Sequence, residues 1–111
     1  MLARSNEGHG GEMFHRTFKE EKNLERMVKT FMDTPKEDTI IDQWESQIFA
    51  RILRHAKVVY VSDAPDEIVR DLHMVPARSL GEAVRKAEEI LGNPDAAITA
   101  IPDGIAVMVV P

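Results

Sequence analysis

With 111 residues, 43% of them hydrophobic, the chain is long enough for one domain with a real core and too short for two. A formal net charge of −5 without any basic run argues against unaided binding to nucleic acid or an anionic membrane, and the absence of cysteine excludes disulfides, thiolate metal sites and a cysteine nucleophile. No apolar run reaches membrane-spanning length and no signal core follows Met1, so the sequence reads as a soluble, cytoplasmic protein.

The chain opens on "MLARSNE", which reads as the truncated end of a first strand, and runs into "GHGG". Glycine is used where backbone turns tightly, takes positive φ or lies close against another group. Gly8, Gly10 and Gly11 around His9 therefore mark a loop that either faces a ligand or simply turns a strand into a helix. From Gly11 to about Glu21, Met13, Phe14 and Phe18 recur at helical spacing; Leu24, Met27, Val28, Phe31 and Met32 repeat the pattern until Pro35 stops it. Two short helices with a break near Asn23 are expected.

The segment "TIIDQWESQIFARILRHA" places Ile40, Trp44, Ile48 and Ile52 four apart, with Ile41, Phe49 and Leu53 widening the stripe. Asp38 or Thr39 can cap this helix, and Arg51, Arg54 and His55 suit its C-terminal end. "KVVYVSD" then reads as a strand buried on both faces, and Pro65 opens a short helix. Beyond "MVPAR", Ser79 and Glu82 have capping-box spacing ahead of a helix that Gly92 and Pro94 stop. The last residues, "AAITAIPDGIAVMVVP", read as two β runs around "PDG". The pattern predicts a small three-layer α/β/α sandwich over residues 1–111, its sheet mainly parallel with a C-terminal β-hairpin edge.

In such sheets ligands sit beyond the carboxyl ends of strands, which singles out "SNEGHGG" and "SDAPD". The first is a poor dinucleotide fingerprint, because a third glycine is missing at the required offset. The amides of Gly10, Gly11 and Glu12 could hold an anion, although the Glu12 carboxylate opposes phosphate. The histidines have no metal-site spacing and read as exposed or capping, with His9 the one expected to face the crevice. Trp44 reads either as a core anchor or as an indole N–H offered to an oxyanion. Asp63 and Asp66 read as caps, and Arg78, Arg85, Glu88 and Glu89 as a solvated helix face. No nucleophile–base pair, acid–base pair or metal cage can be assembled, so no catalytic residue and no metal ligand is expected in this chain.

Two stretches, "NEGHGGEMFHRTF" and "DQWESQIFARILRHAKVVYVSD", resemble the C-terminal domain of the nickel-dependent lactate racemase family, whose members tend to end in a hairpin like "PDGIAVMVV". The resemblance implies a two-domain enzyme with its cleft between an N-terminal cofactor-binding domain and this one. It implies interconversion of small α-hydroxy acids by a nickel pincer cofactor derived from nicotinic acid, which takes a hydride from the substrate carbon and returns it to either face. The cofactor-tethering lysine, the nickel-ligating histidine and the acid–base histidines belong to the family's N-terminal domain and match nothing here. The family's tryptophan corresponds to Trp44, with a substrate-binding role, and the cleft loop to Gly8, His9, Gly10 and Gly11. The family's substrate-contacting glutamine and lysine lie upstream of that loop. The expectation is an isolated chain that is inactive, being an excised domain or the product of a remnant gene that needs a partner chain. The alternative is a stand-alone, non-enzymatic module binding a small anion or a protein. An exposed apolar patch beside Trp44 favours the first and a closed polar surface the second.

Overall fold

The computed structural model describes the backbone of Leu2–Ala3, residues 10–102 and Gly104. Gly8, His9 and the second run of the expected C-terminal hairpin lie outside these residues. Three parallel strands, β1 (Leu2–Ala3), β2 (Val59–Ser62) and β3 (Val75–Ala77), form a sheet in the order β1-β2-β3, with Ala3 opposite Ser62 and Val61 opposite Ala77. The helices are α1 (Glu12–Glu20), α2 (Leu24–Asp33), α3 (Gln43–His55), α4 (Asp66–Asp71) and α5 (Leu80–Leu91).

Local chemistry sets most boundaries. The Asn23 side chain accepts the Arg26 N–H at 2.9 Å and starts α2, which confirms the break between the first two helices. Pro65 precedes α4, Ser79 accepts the Glu82 N–H at 3.2 Å to start α5, and Gly92 ends α5 in the left-handed region. β3 is an element the sequence reading missed: "MVPAR" looks like a connector, yet Val75 donates its N–H to Val58 at 2.9 Å. Pro76 is tolerated because β3 has a strand partner on one side only among the described residues.

The layers form on opposite faces of the sheet. Val59 shares a groove with Ala83, Val84 and Ala87 of α5, whereas Val58 and Met74 pack against the cluster built by α1, α2, α3 and α4. That cluster centres on Phe18, which is fully buried between Phe14 and Phe49 with ring centroids 5.1 and 5.2 Å away. Burying one such ring stabilises by about 1.5–3 kcal/mol. Met27, Val28, Phe31, Ala50, Leu53 and Leu72 complete it.

Three expectations need correction. Residues 96–101, the first run of the expected hairpin, carry no strand. His15 is neither exposed nor capping but 8% exposed against α4. The third helix begins at Gln43 rather than near Thr39: one 3₁₀ turn at Lys36–Asp38 intervenes, and Gln43 donates its N–H to Ile40 at 3.2 Å across a turn whose third residue, Asp42, has φ 63°. A left-handed residue cannot continue an α-helix, so α3 starts just after it.

Candidate functional site

Parallel pairing of Ala3 with Ser62 ends β1 and β2 side by side at the carboxyl edge of the sheet, where the Ser62–Pro65 connection begins. This connection is closed. The Arg78 guanidinium, just beyond β3, donates to the carbonyls of Ser62 at 2.8 Å and Ala64 at 2.9 Å and pairs with Asp66. Arg78 is thus a latch across the strand ends, not only part of a solvated helix face.

The N-termini of α1 and α3 converge where Gly11 meets Asp42. Gly10 has φ 83°, a backbone that side chains rarely adopt. Gly11 has ordinary extended angles, φ −63° and ψ 138°; a Cβ there would lie 2.6 Å from Asp42 Oδ2, so a side chain at this position would require the carboxylate to move. The Asp42 carboxylate is therefore packed on the N-cap of α1, where the helix dipole favours a negative charge. Asp42 is the member of this site that sequence reasoning missed. The available signal was an Asp directly after Ile40–Ile41, since Asp tolerates the left-handed conformation that a bulkier residue resists.

Trp44 follows two residues later and is 64% exposed, which overturns the core-anchor reading. Three apolar neighbours share that fate: Ile41, in the turn just before α3, is 77% exposed, and Ile48 and Ile52 on α3 are 50% and 48% exposed. The buried face of α3 is instead made of Gln43, Ser46, Ala50 and Leu53. An exposed apolar stripe of this kind is a feature of interaction surfaces.

The other candidates are engaged elsewhere. His15 Nε2 lies 3.2 Å from Asp71 Oδ2, and His73 Nε2 lies 2.9 Å from the Phe18 carbonyl oxygen. His55 is exposed at the end of α3. Burial pushes the Asp71 carboxyl up, but Lys19, Lys22 and His15 outweigh it and hold the group below its ordinary range. Among the described residues no three His, Asp or Glu side chains converge as metal ligands. A shallow concavity between the α1–α2 connection and the end of α3 is lined by charged groups such as Glu21, Arg26, Arg54 and Lys57, and touches none of Gly10, Gly11, Asp42 and Trp44. No helix is long and apolar enough to cross a membrane among the described residues.

Comparison with known proteins agrees with this architecture. The family described as lactate racemase C-terminal domain matches residues 1–109. The lactate racemase of Thermoanaerobacterium thermosaccharolyticum is 46% identical over 104 residues, covering 93% of this chain and 24% of that protein; that of Lactiplantibacillus plantarum is 41% identical over 110 residues, covering 98% and 26%. The solved structure of the lactate racemase apoprotein from T. thermosaccharolyticum superposes with a TM-score of 0.92 at 44% identity, covering 99% of this chain and 26% of that one. The chain thus spans about a quarter of the length of these relatives.

Proposed function

The chain belongs to the lactate racemase C-terminal domain family, and from that premise we propose that it forms one wall of the substrate cleft of an α-hydroxy acid racemase and contacts the substrate through Trp44. The observation that carries this reading is the outward face of α3. Trp44 stands 64% exposed where the glycine loop and the N-terminus of α3 meet, and Ile41, Ile48 and Ile52 extend the apolar surface away from it. An isolated domain gains nothing from three exposed isoleucines on its longest helix and the turn that leads into it. A cleft wall that a second domain partly covers does, because that contact returns their burial and excludes water from the site.

In this role Trp44 lays its ring against a small hydroxy acid or offers its indole N–H to a substrate oxygen. Gly10 and Gly11 let backbone approach the same space. The nickel pincer group implied by the family resemblance finds no ligand set among the described residues, since His15 and His73 are held within the fold and His55 stands alone at a helix end. By that resemblance its holders belong to an N-terminal cofactor-binding domain or a partner chain. Hydride transfer needs cofactor and substrate fixed against each other, so the 111-residue chain alone is inactive. The cysteine-free composition suits a cytoplasmic setting.

The test is a chimera in which this chain replaces the corresponding quarter of the T. thermosaccharolyticum racemase, produced in cells that make the cofactor. Interconversion of D- and L-lactate is expected from the chimera and not from the isolated chain. Trp44→Ala should raise KM or lower kcat by about tenfold or more, the equivalent of 1.4 kcal/mol. A folded, nickel-loaded chimera indifferent to Trp44→Ala would overturn the assignment.

A further inference from the structure

Asp42 touches both parts of the cleft wall. Its carbonyl accepts the Ser46 N–H at 3.1 Å, the first hydrogen bond of α3, and Ser46 is 1% exposed, so the main chain of Asp42 is tied to the turn that bears Trp44. The buried Gln43 side chain accepts the Ile40 N–H at 3.4 Å and closes the same turn from the other side. Asp42 also holds a left-handed conformation, φ 63° and ψ 12°, that glycine or asparagine adopts more readily. Its side chain meanwhile abuts Gly11 so closely that any Cβ at position 11 would collide with Oδ2. Gly11 itself has ordinary extended backbone, so the space left by its missing side chain is the space the Asp42 carboxylate occupies. Backbone held in a rare conformation and a side chain seated on a second loop together describe a spacer.

We propose that Asp42 is a positioning residue that couples the glycine loop to Trp44 and so sets the distance between the two walls a substrate would enter. This rests on the substrate-contacting role proposed for Trp44 only in its meaning for catalysis; the mechanical coupling is a property of this chain.

Trp44 is the single tryptophan, so its emission maximum and its quenching by acrylamide report the site in the 111-residue chain without any cofactor. Four variants are compared with the wild type: Gly11→Ala, Asp42→Gly, the double variant, and Asp42→Asn, with far-UV circular dichroism to confirm folding. Gly11→Ala is expected to shift the emission and quenching of Trp44, because the new methyl displaces the carboxylate and with it the turn. Asp42→Gly is expected to shift them as well. In the Asp42→Gly background Gly11→Ala is expected to add nothing, since the atom it would strike is gone. Asparagine has the same shape and tolerates the same backbone, and is expected to retain the wild-type signature. The proposal is overturned if Gly11→Ala leaves Trp44 unchanged, which would mean that the carboxylate simply swings away, or if its effect is as large in the Asp42→Gly background. Should Gly11→Ala fail to fold, Asp42→Gly with the wild-type signature is enough to overturn it. None of these outcomes depends on racemisation, so failure of the coupling and failure of the cleft reading are told apart.

Discussion

His15 on α1 and Asp71 on α4 meet at 3.2 Å with only 11% and 16% of their side chains exposed, and Lys19 and Lys22 approach the same carboxylate at 3.6 Å. This is the polar tie between the start of the chain's helical cluster and the short helix that feeds β3. Two of its bonds are made by long, exposed lysines and contribute little singly, but the carboxylate they share is mostly enclosed. Asp71→Asn should therefore destabilise the chain by about 1.5–3 kcal/mol, measured by urea denaturation at pH 7.

The same carboxylate predicts a pH dependence. Its folded value is held below the unfolded one, so its contribution is fully present above the unfolded value of about 4 and is lost as pH falls through the folded value. Melting temperature should drop more steeply below about pH 4 in the wild type than in Asp71→Asn, and the two should converge in strong acid. Glu21 and Glu82 are also held low, by Arg26 and by Lys86 respectively, but both remain in the variant, so the difference isolates Asp71. Parallel pH profiles would refute the assignment.

At the start of α5, Ser79 accepts the Glu82 N–H at 3.2 Å and the Glu82 carboxylate accepts the Arg78 N–H at 2.8 Å. None of the α5 residues is fully buried, so this helix relies on its ends more than the others do. Ser79→Ala should cost about 1 kcal/mol. For a domain of this size that is a fall of about 4–8 °C in melting temperature.

Gly10 and Gly11 predict different failures. A Cβ at Gly10 would meet no atom within 4 Å, so Gly10→Val is resisted by backbone conformation alone, at φ 83°. The expected cost is at least about 1–2 kcal/mol, read as lost stability in urea. A variant with unchanged stability would mean that this turn relaxes freely, and the glycine loop would lose its structural rationale.

The sequence made some of this plain and hid the rest for physical reasons. Caps are local, so the breaks at Asn23, Pro65, Ser79 and Gly92 were legible from neighbouring residues. β3 was not, because three residues containing a proline carry no periodicity, and its strand identity comes from the Val75 N–H reaching Val58 across the fold. The start of α3 was misplaced because periodicity reports an apolar face and is blind to a single left-handed residue at Asp42. Trp44 and the glycine loop could be nominated from sequence; that Asp42 sits on Gly11 depends on two helices meeting, which no local pattern encodes.

The last expectation concerns the two faces of α3. Three isoleucines and a tryptophan spaced four apart say that this segment has a face requiring cover, and say nothing of whether the cover is in the same chain. Here the inward face is small: Ala50 is fully buried beside Phe18 and Ser46 nearly so. Ala50→Leu should therefore overpack the aromatic cluster and cost about 1–3 kcal/mol, whereas Ile48→Asp, on a side chain 50% exposed, should change the stability of this chain by no more than about 0.5 kcal/mol. In the racemase chimera the order should reverse for assembly. Ile48→Asp would then place a charge in the contact with the second domain and lower the melting temperature of the whole, while leaving the isolated chain as stable as before. If Ile48→Asp were silent in both settings, the stripe would be an exposed surface with no partner in that enzyme, and the cleft-wall reading would rest on Trp44 alone.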